Sequence, residues 1–249
     1  MRTAVPELFM IISHSRRLIF IHIHKAGGTS VECALAQHLA WNDLIVGSTP
    51  LGKAINDHYR KRYGLDKHSS VSDIERVCGR EIVDQYYVFS VVRHPLDRLC
   101  SLYNFIGSII NKWATGKSIS LQQAPRFIEK HPDVLRVSPN LGWPSSKAFL
   151  GTRNFSEFIR DDRLARDSAF RTQVSRLKSS ADGVLRGQIF RLEDRLEWLP
   201  KLSETLGIGL DLPHENKSEL SLSTRQSVAP KDVEYIESHY AEDYAAFGY

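Results

Sequence analysis

Cysteine is nearly absent from this chain: three among 249 residues, at Cys33, Cys78 and Cys100. They lie far apart, form no Cys-x-x-Cys pair and have no histidine neighbours at zinc-finger spacing, so metal and redox motifs find no support. An odd number of unclustered cysteines suits a reducing compartment. Cys33 and Cys100, each just inside a candidate helix, read as small buried apolar residues. Long apolar runs are also missing. The longest early ones cover 8–12 and 18–23, interrupted by His14, Arg16 and Arg17. A spanning helix needs ~20 such residues, and no small-residue cleavage site follows the first run. A soluble, cytoplasmic protein without a membrane span is expected. Charge of one sign is not in large excess either. With 33 basic against 29 acidic residues the net charge is +4, too little for the basic stripe of a nucleic-acid binder. His214-Glu215-Asn216 lacks the second histidine of a metalloprotease motif, and no Gly-x-Ser-x-Gly elbow occurs. There is no fixed-period repeat. With 42% hydrophobic and 25% charged residues, the chain can bury one substantial α/β core, so 1–249 reads as a single domain.

What is present begins at 18–33, Leu-Ile-Phe-Ile-His-Ile-His-Lys-Ala-Gly-Gly-Thr-Ser-Val-Glu-Cys. A short apolar strand stops at His24-Lys25, turns through Gly27-Gly28 and enters a helix at Thr29-Ser30. A helix N-terminus presents unpaired backbone N–H groups and the positive end of the dipole, which together attract anions. Lys25 adds a point charge; Thr29 and Ser30 add hydroxyl donors. The guest is phosphate-like, yet the order is wrong for a nucleoside-triphosphate loop. Here the lysine precedes both glycines, whereas a Walker A loop places it after the last one. A Gly116-Lys117-Ser118 triplet does occur, but Asn111 stands where the first glycine should be, and no strand leads into it. It reads as a chance match.

The second informative stretch is 86–103. Residues 87–92 are β-branched, aromatic and almost continuously apolar, as in a strand covered on both faces. The strand ends in Arg93-His94-Pro95; Pro95 suits a first helical turn and Asp97 complements the dipole there. Arg93 falls at the carboxyl end of the strand, where open α/β sheets bind ligands. With the Ser101 hydroxyl on the following helix, it forms a second phosphate-site candidate.

Two such motifs together resemble the sulfotransferases that use 3′-phosphoadenosine 5′-phosphosulfate (PAPS), most closely the branch of carbohydrate sulfotransferases and their soluble bacterial relatives. The resemblance implies that Lys25, Ala26, Gly27, Gly28, Thr29 and Ser30 hold the 5′-phosphosulfate. It implies that the motif of Arg93, Pro95, Arg98 and Ser101 holds the 3′-phosphate. It extends weakly through Arg191-Leu192-Glu193-Asp194, His214 to Ser218, and the closing Phe247-Gly248-Tyr249. Arg171-Thr172-Gln173 is similar to an Arg-Pro-Gln element of relatives, with the proline replaced. The implied fold is three-layer α/β with a central, mainly parallel sheet. The implied reaction moves a sulfuryl group from PAPS to an acceptor hydroxyl, on a glycan or glycan-like metabolite, without a metal. Lys25 would stabilise charge on the leaving oxygens.

The base needs a pKa near the working pH, which favours one of the ten histidines. His68 precedes a short helix over 71–78, with a capping box at Ser72-x-x-Glu75 and a stop at Gly79. It is the candidate general base; relatives place their histidine at a comparable interval before the Arg-x-Pro strand. His22 reads as a satisfied core histidine, and His24 touches the anion loop and could assist. The basic run 60–62 reads as a solvated face. Residues 154–166 read as an amphipathic helix, with Phe155, Phe158, Ile159 and Leu164 inward. A strand is expected over 187–192, a helix over 193–206 broken or kinked at Pro200, and a last helix from Pro230 to Tyr244. Trp113, Trp143 and Tyr103 are candidates for a sugar-binding face, against a core role. A nucleotide kinase, a non-catalytic nucleotide-binding module and a lipid or small-molecule acceptor remain as alternatives.

Overall fold

A computed structural model describes residues 10–46, 50–212 and 220–249; the stretch from His214 to Ser218 lies outside them. The chain runs through β1 (Met10–Ser13), β2 (Leu18–Ile21), α1 (Gly28–Ala36), β3 (Leu44–Val46), α2 (Pro50–Tyr63), α3 (Val71–Cys78), α4 (Arg80–Gln85) and β4 (Tyr87–Val92). Helices α5 (Pro95–Gly116), α6 (Ala124–Lys130), α7 (Val134–Val137), α8 (Pro144–Gly151) and α9 (Phe155–Phe158) follow. Then come α10 (Val174–Leu177), β5 (Gln188–Arg191), α11 (Arg195–Leu206), α12 (Pro230–His239) and α13 (Ala241–Phe247). Two compact units result, one from 1–94, 172–216 and 245–249, the other from 95–171 and 217–244.

The first unit holds a sheet of order β3-β1-β2-β4-β5. Strand β1 is antiparallel to both β2 and β3, while β2–β4 and β4–β5 are parallel. Four of the five described strands therefore point one way, and the expected mainly parallel α/β sheet is observed. The alternation of strand side chains builds a layer on each face. Ile11, Leu18, Phe20, Phe89 and Val91 pack with Val31 and Leu35 of α1 and Trp198 and Leu202 of α11. Ile12, Ile19, Ile21, Val88 and Val92 pack on the other face with Val71 and Ile74 of α3, Val83 of α4 and Val174 and Leu177 of α10. Parallel strands place their carboxyl ends on one edge, and the loops after β2 and β4 both leave from it. Helix α11 runs unbroken through Pro200 to a left-handed Gly207 at φ 61°; a separate 3₁₀ turn, Leu192–Asp194, precedes it.

The second unit is helical. Its core gathers Leu99, Leu102, Tyr103, Ile106 and Ile110 of α5 with Phe155, Phe158, Leu164, Ile236 and Tyr240. Tyr103 and Trp113 both pack in or against this core, and of the three aromatic candidates Trp143 is the exposed one. The helix expected over 154–166 arrives as α9 and a separate 3₁₀ turn, Asp162–Arg166. Its four apolar residues are buried as expected. Asp161 interrupts it, because its carboxylate accepts from the Arg163 N–H and caps a new turn. The final helix likewise divides at Tyr240 into α12 and α13. Among the described residues no helix is long and apolar enough to cross a membrane. The three cysteines are free thiols; Cys100 is buried, but Cys33 is only half-buried, against expectation.

Candidate functional site

Strand β2 ends at Ile21, and the backbone turns through Lys25 at φ 62° and Gly27 at φ 78°. A non-glycine residue in the left-handed region is uncommon and strained, and such residues gather where a loop must shape a site. Gly27 is the N-cap of α1 and offers no side-chain acceptor, and the first turn of α1 carries no acidic residue. The positive end of that helix is therefore left for an external anion. Both glycines are fixed by neighbours. A Cβ on Gly27 would come within 2.8 Å of Leu192 Cδ1, and one on Gly28 would run into the His22 ring. Thr29 is buried in the first turn of α1, and Ser30 beside it is half-exposed.

The electrostatics of the loop suit the same guest. Burial, then the Arg93 guanidinium, then the Lys67 ammonium push the Lys25 ammonium down to about 7. Three cations crowd one spot, which disfavours the charged lysine until an anion arrives. The Arg93 guanidinium donates to the Lys25 carbonyl at 3.4 Å, so the two predicted anion motifs meet. Arg93 is itself held in place by a fully buried carboxamide. Its N–H donates to Gln173 Oε1 at 2.9 Å, and Gln173 Nε2 donates back to its carbonyl at 2.8 Å. The Arg-Thr-Gln element, with its replaced proline, thus keeps a structural role at the second motif.

The histidines form a cluster beside the loop. His68 is buried, at 7% exposure, rather than solvated in a polar loop. Its ring stacks on His24 with centroids 3.3 Å apart and meets His22 edge-on at 4.6 Å. Nδ1 of His68 lies 3.1 Å from the His22 carbonyl, which can only accept; Nδ1 therefore carries the proton and Nε2 the lone pair. Burial, followed by His24, His22 and Lys67, holds its pKa well below the ordinary histidine value, so the ring is neutral and a weaker base than the expected match to the working pH. The Asp66 carboxylate accepts from the His68 N–H at 2.7 Å and fixes the approach to α3. The capping box of α3 is Ser70 with Asp73, two residues before the expected pair. Glu75 instead accepts from the Ser180 N–H at 3.0 Å. Among the described residues no group of three or more His, Cys, Asp or Glu side chains is arranged to hold a metal ion.

Other motif residues divide. Ser101 sits half-buried on α5. Arg98 is buried within the second unit, donating to the carbonyls of Ala169 and Arg171, both at 2.8 Å, with its guanidinium 5.2 Å from the Tyr240 ring centroid. Its guanidinium thus satisfies two backbone carbonyls of that unit. Gly116-Lys117-Ser118 lies at the carboxyl end of α5, the negative end of a helix dipole, as suits a chance match. The run Arg60-Lys61-Arg62 is solvated on α2.

Residues of two weakly matching stretches lie beside the loops. Leu192 abuts Gly27, while Glu193 accepts from the His94 N–H at 2.9 Å and from the Tyr249 hydroxyl at 3.0 Å. Arg191 donates to the Gly248 carbonyl at 2.9 Å. The weakly matching stretches at 191–194 and 247–249 are thus neighbours, and they brace both anion loops.

The two loops that carry the sequence motifs thus follow β2 and β4, adjacent parallel strands of an α/β sheet. The family model described as "Sulfotransferase family" matches residues 9–249. The chain belongs to that family. No curated protein and no solved structure matches it at the significance required.

Proposed function

We propose that the protein transfers a sulfuryl group from PAPS to an acceptor hydroxyl on a carbohydrate or carbohydrate-like metabolite, and that it acts in the cytoplasm. The observation that carries this reading is the Arg93–Lys25 contact, which joins a Lys-Ala-Gly-Gly-Thr-Ser cradle to a second cation after the neighbouring strand. A donor with phosphate groups at both ends of its ribose needs two such sites. The donor supplies the sulfuryl group and a bisphosphorylated leaving group. Residues 25–30 would bind the phosphosulfate, with Lys25 countering charge on the leaving oxygens. Arg93 would bind the 3′-phosphate, and Ser101 belongs to the same sequence motif. His68 would take the acceptor proton at Nε2, the nitrogen that its bond to the His22 carbonyl leaves open.

The test is turnover by His68→Ala, with nucleotide affinity measured in parallel. The expected result is a loss of at least about a hundredfold in kcat, at the lower bound of general-base catalysis, with nucleotide affinity retained. Near-normal turnover would move the base to His24, which stacks on His68 and is more exposed.

A further inference from the structure

Among the buried acids that the mechanism leaves unused is Glu32. Glu32 lies on α1 with 0% exposure, and its Oε1 is 2.7 Å from Nδ1 of His22, itself 3% exposed. A carboxylate without solvent is costly unless a donor satisfies it, so this bond fixes both partners. Ionised, Glu32 can only accept, which places the His22 proton on Nδ1.

His22 sits where three parts of the site meet. Its ring edge, Cδ2 and Nε2, lies under Gly28, where any Cβ would collide with it. Its carbonyl accepts the His68 Nδ1 proton at 3.1 Å. Its ring also meets the His68 ring edge-on. A rotation of this imidazole would disturb the floor of the anion turn and the seat of His68 together.

We propose that Glu32 is a positioning residue for the transfer reaction, acting through His22. It locks one tautomer and one ring orientation of His22, and so sets the Gly27–Gly28 turn and the orientation of His68. The role rests on the proposed sulfuryl transfer, but part of its test does not.

The test compares Glu32→Gln, which keeps an acceptor oxygen without the charge, with Glu32→Leu, which fills similar volume without an acceptor. Glu32→Gln is expected to stay close to the parent in turnover and in affinity for adenosine 3′,5′-bisphosphate. Glu32→Leu should lose about a hundredfold in kcat, the scale set by small misplacements of catalytic groups, while its unfolding midpoint stays near that of Glu32→Gln. Equal impairment of both variants, or normal turnover in Glu32→Leu, would overturn the proposal. Nitrogen NMR of the parent, labelled at histidine, reads the geometry without nucleotide or substrate. His22 protonated at Nδ1 is expected, and Nε2 protonation would overturn the proposal even if Glu32→Leu failed to fold. A parent that binds no bisphosphate nucleotide would sink the transfer reading instead, leaving the His22 tautomer as it stands.

Discussion

At the residue scale, Lys25 concentrates the chemistry. Its charge is disfavoured by burial and by two neighbouring cations, so in the free protein it titrates at about 7. An anion beside it favours the ammonium and raises that value. Nucleotide binding above neutrality should therefore take up a proton, and affinity should fall as pH rises from 7 to 9, by at most about tenfold per pH unit. Titrations in buffers of different ionisation enthalpy read the uptake directly; constant affinity over that range would contradict this placement of charge. The same shift has a stability sign. The unfolded lysine holds its proton up to about 10.5 while the folded one releases it near 7, so this group favours the fold increasingly as pH rises between the two. His68 acts in the opposite range. Its folded value lies below the unfolded one, so its contribution is full above about 6.5 and is lost as acid charges the ring. The sequence names Lys25, Arg93 and His68 through residue type and position beside a turn or strand end. It touches Gln173 and Glu193 only through weak resemblance and is silent on Glu32, because their roles arise from contacts across 80, 99 and 10 residues of chain.

At the scale of elements, the strand–turn–helix from β2 to α1 is legible because each step leaves a local mark: an apolar run, a glycine pair, then hydroxyls. What the pattern does not show is why Gly28 is glycine. It is the His22 ring, held by Glu32, that leaves no room for a Cβ. Gly28→Ala should cost about 1–3 kcal/mol, the range for overpacking a filled interior, and should weaken nucleotide binding with it. Denaturant unfolding measures the first; an unchanged midpoint would show that the ring can yield. Strand β3 escapes the sequence pattern for another reason. It is 3 residues long, too short for a period to register. The capping box of α3 is displaced because two Ser-x-x-acid pairs compete, and Glu75 is drawn off to Ser180 in tertiary contact. The amphipathic pattern at 154–166 identifies the inward face correctly, yet Asp161 ends the helix by bonding its own backbone neighbourhood.

At the scale of the whole molecule, the family match spans nearly the full chain, while the contacts divide it into two units, neither of them continuous in sequence. We propose that they fold as one domain, since each is completed by chain that returns from the other. A single calorimetric unfolding transition is expected, and two resolved transitions would contradict it. The central claim is that the two loops bind a nucleotide phosphorylated on both sides of its ribose. The most direct measurement is calorimetric titration with adenosine 3′,5′-bisphosphate, beside ADP and ATP–magnesium. The account predicts tight binding that requires the 3′-phosphate. Preference for ATP–magnesium, or equal binding without the 3′-phosphate, would contradict it.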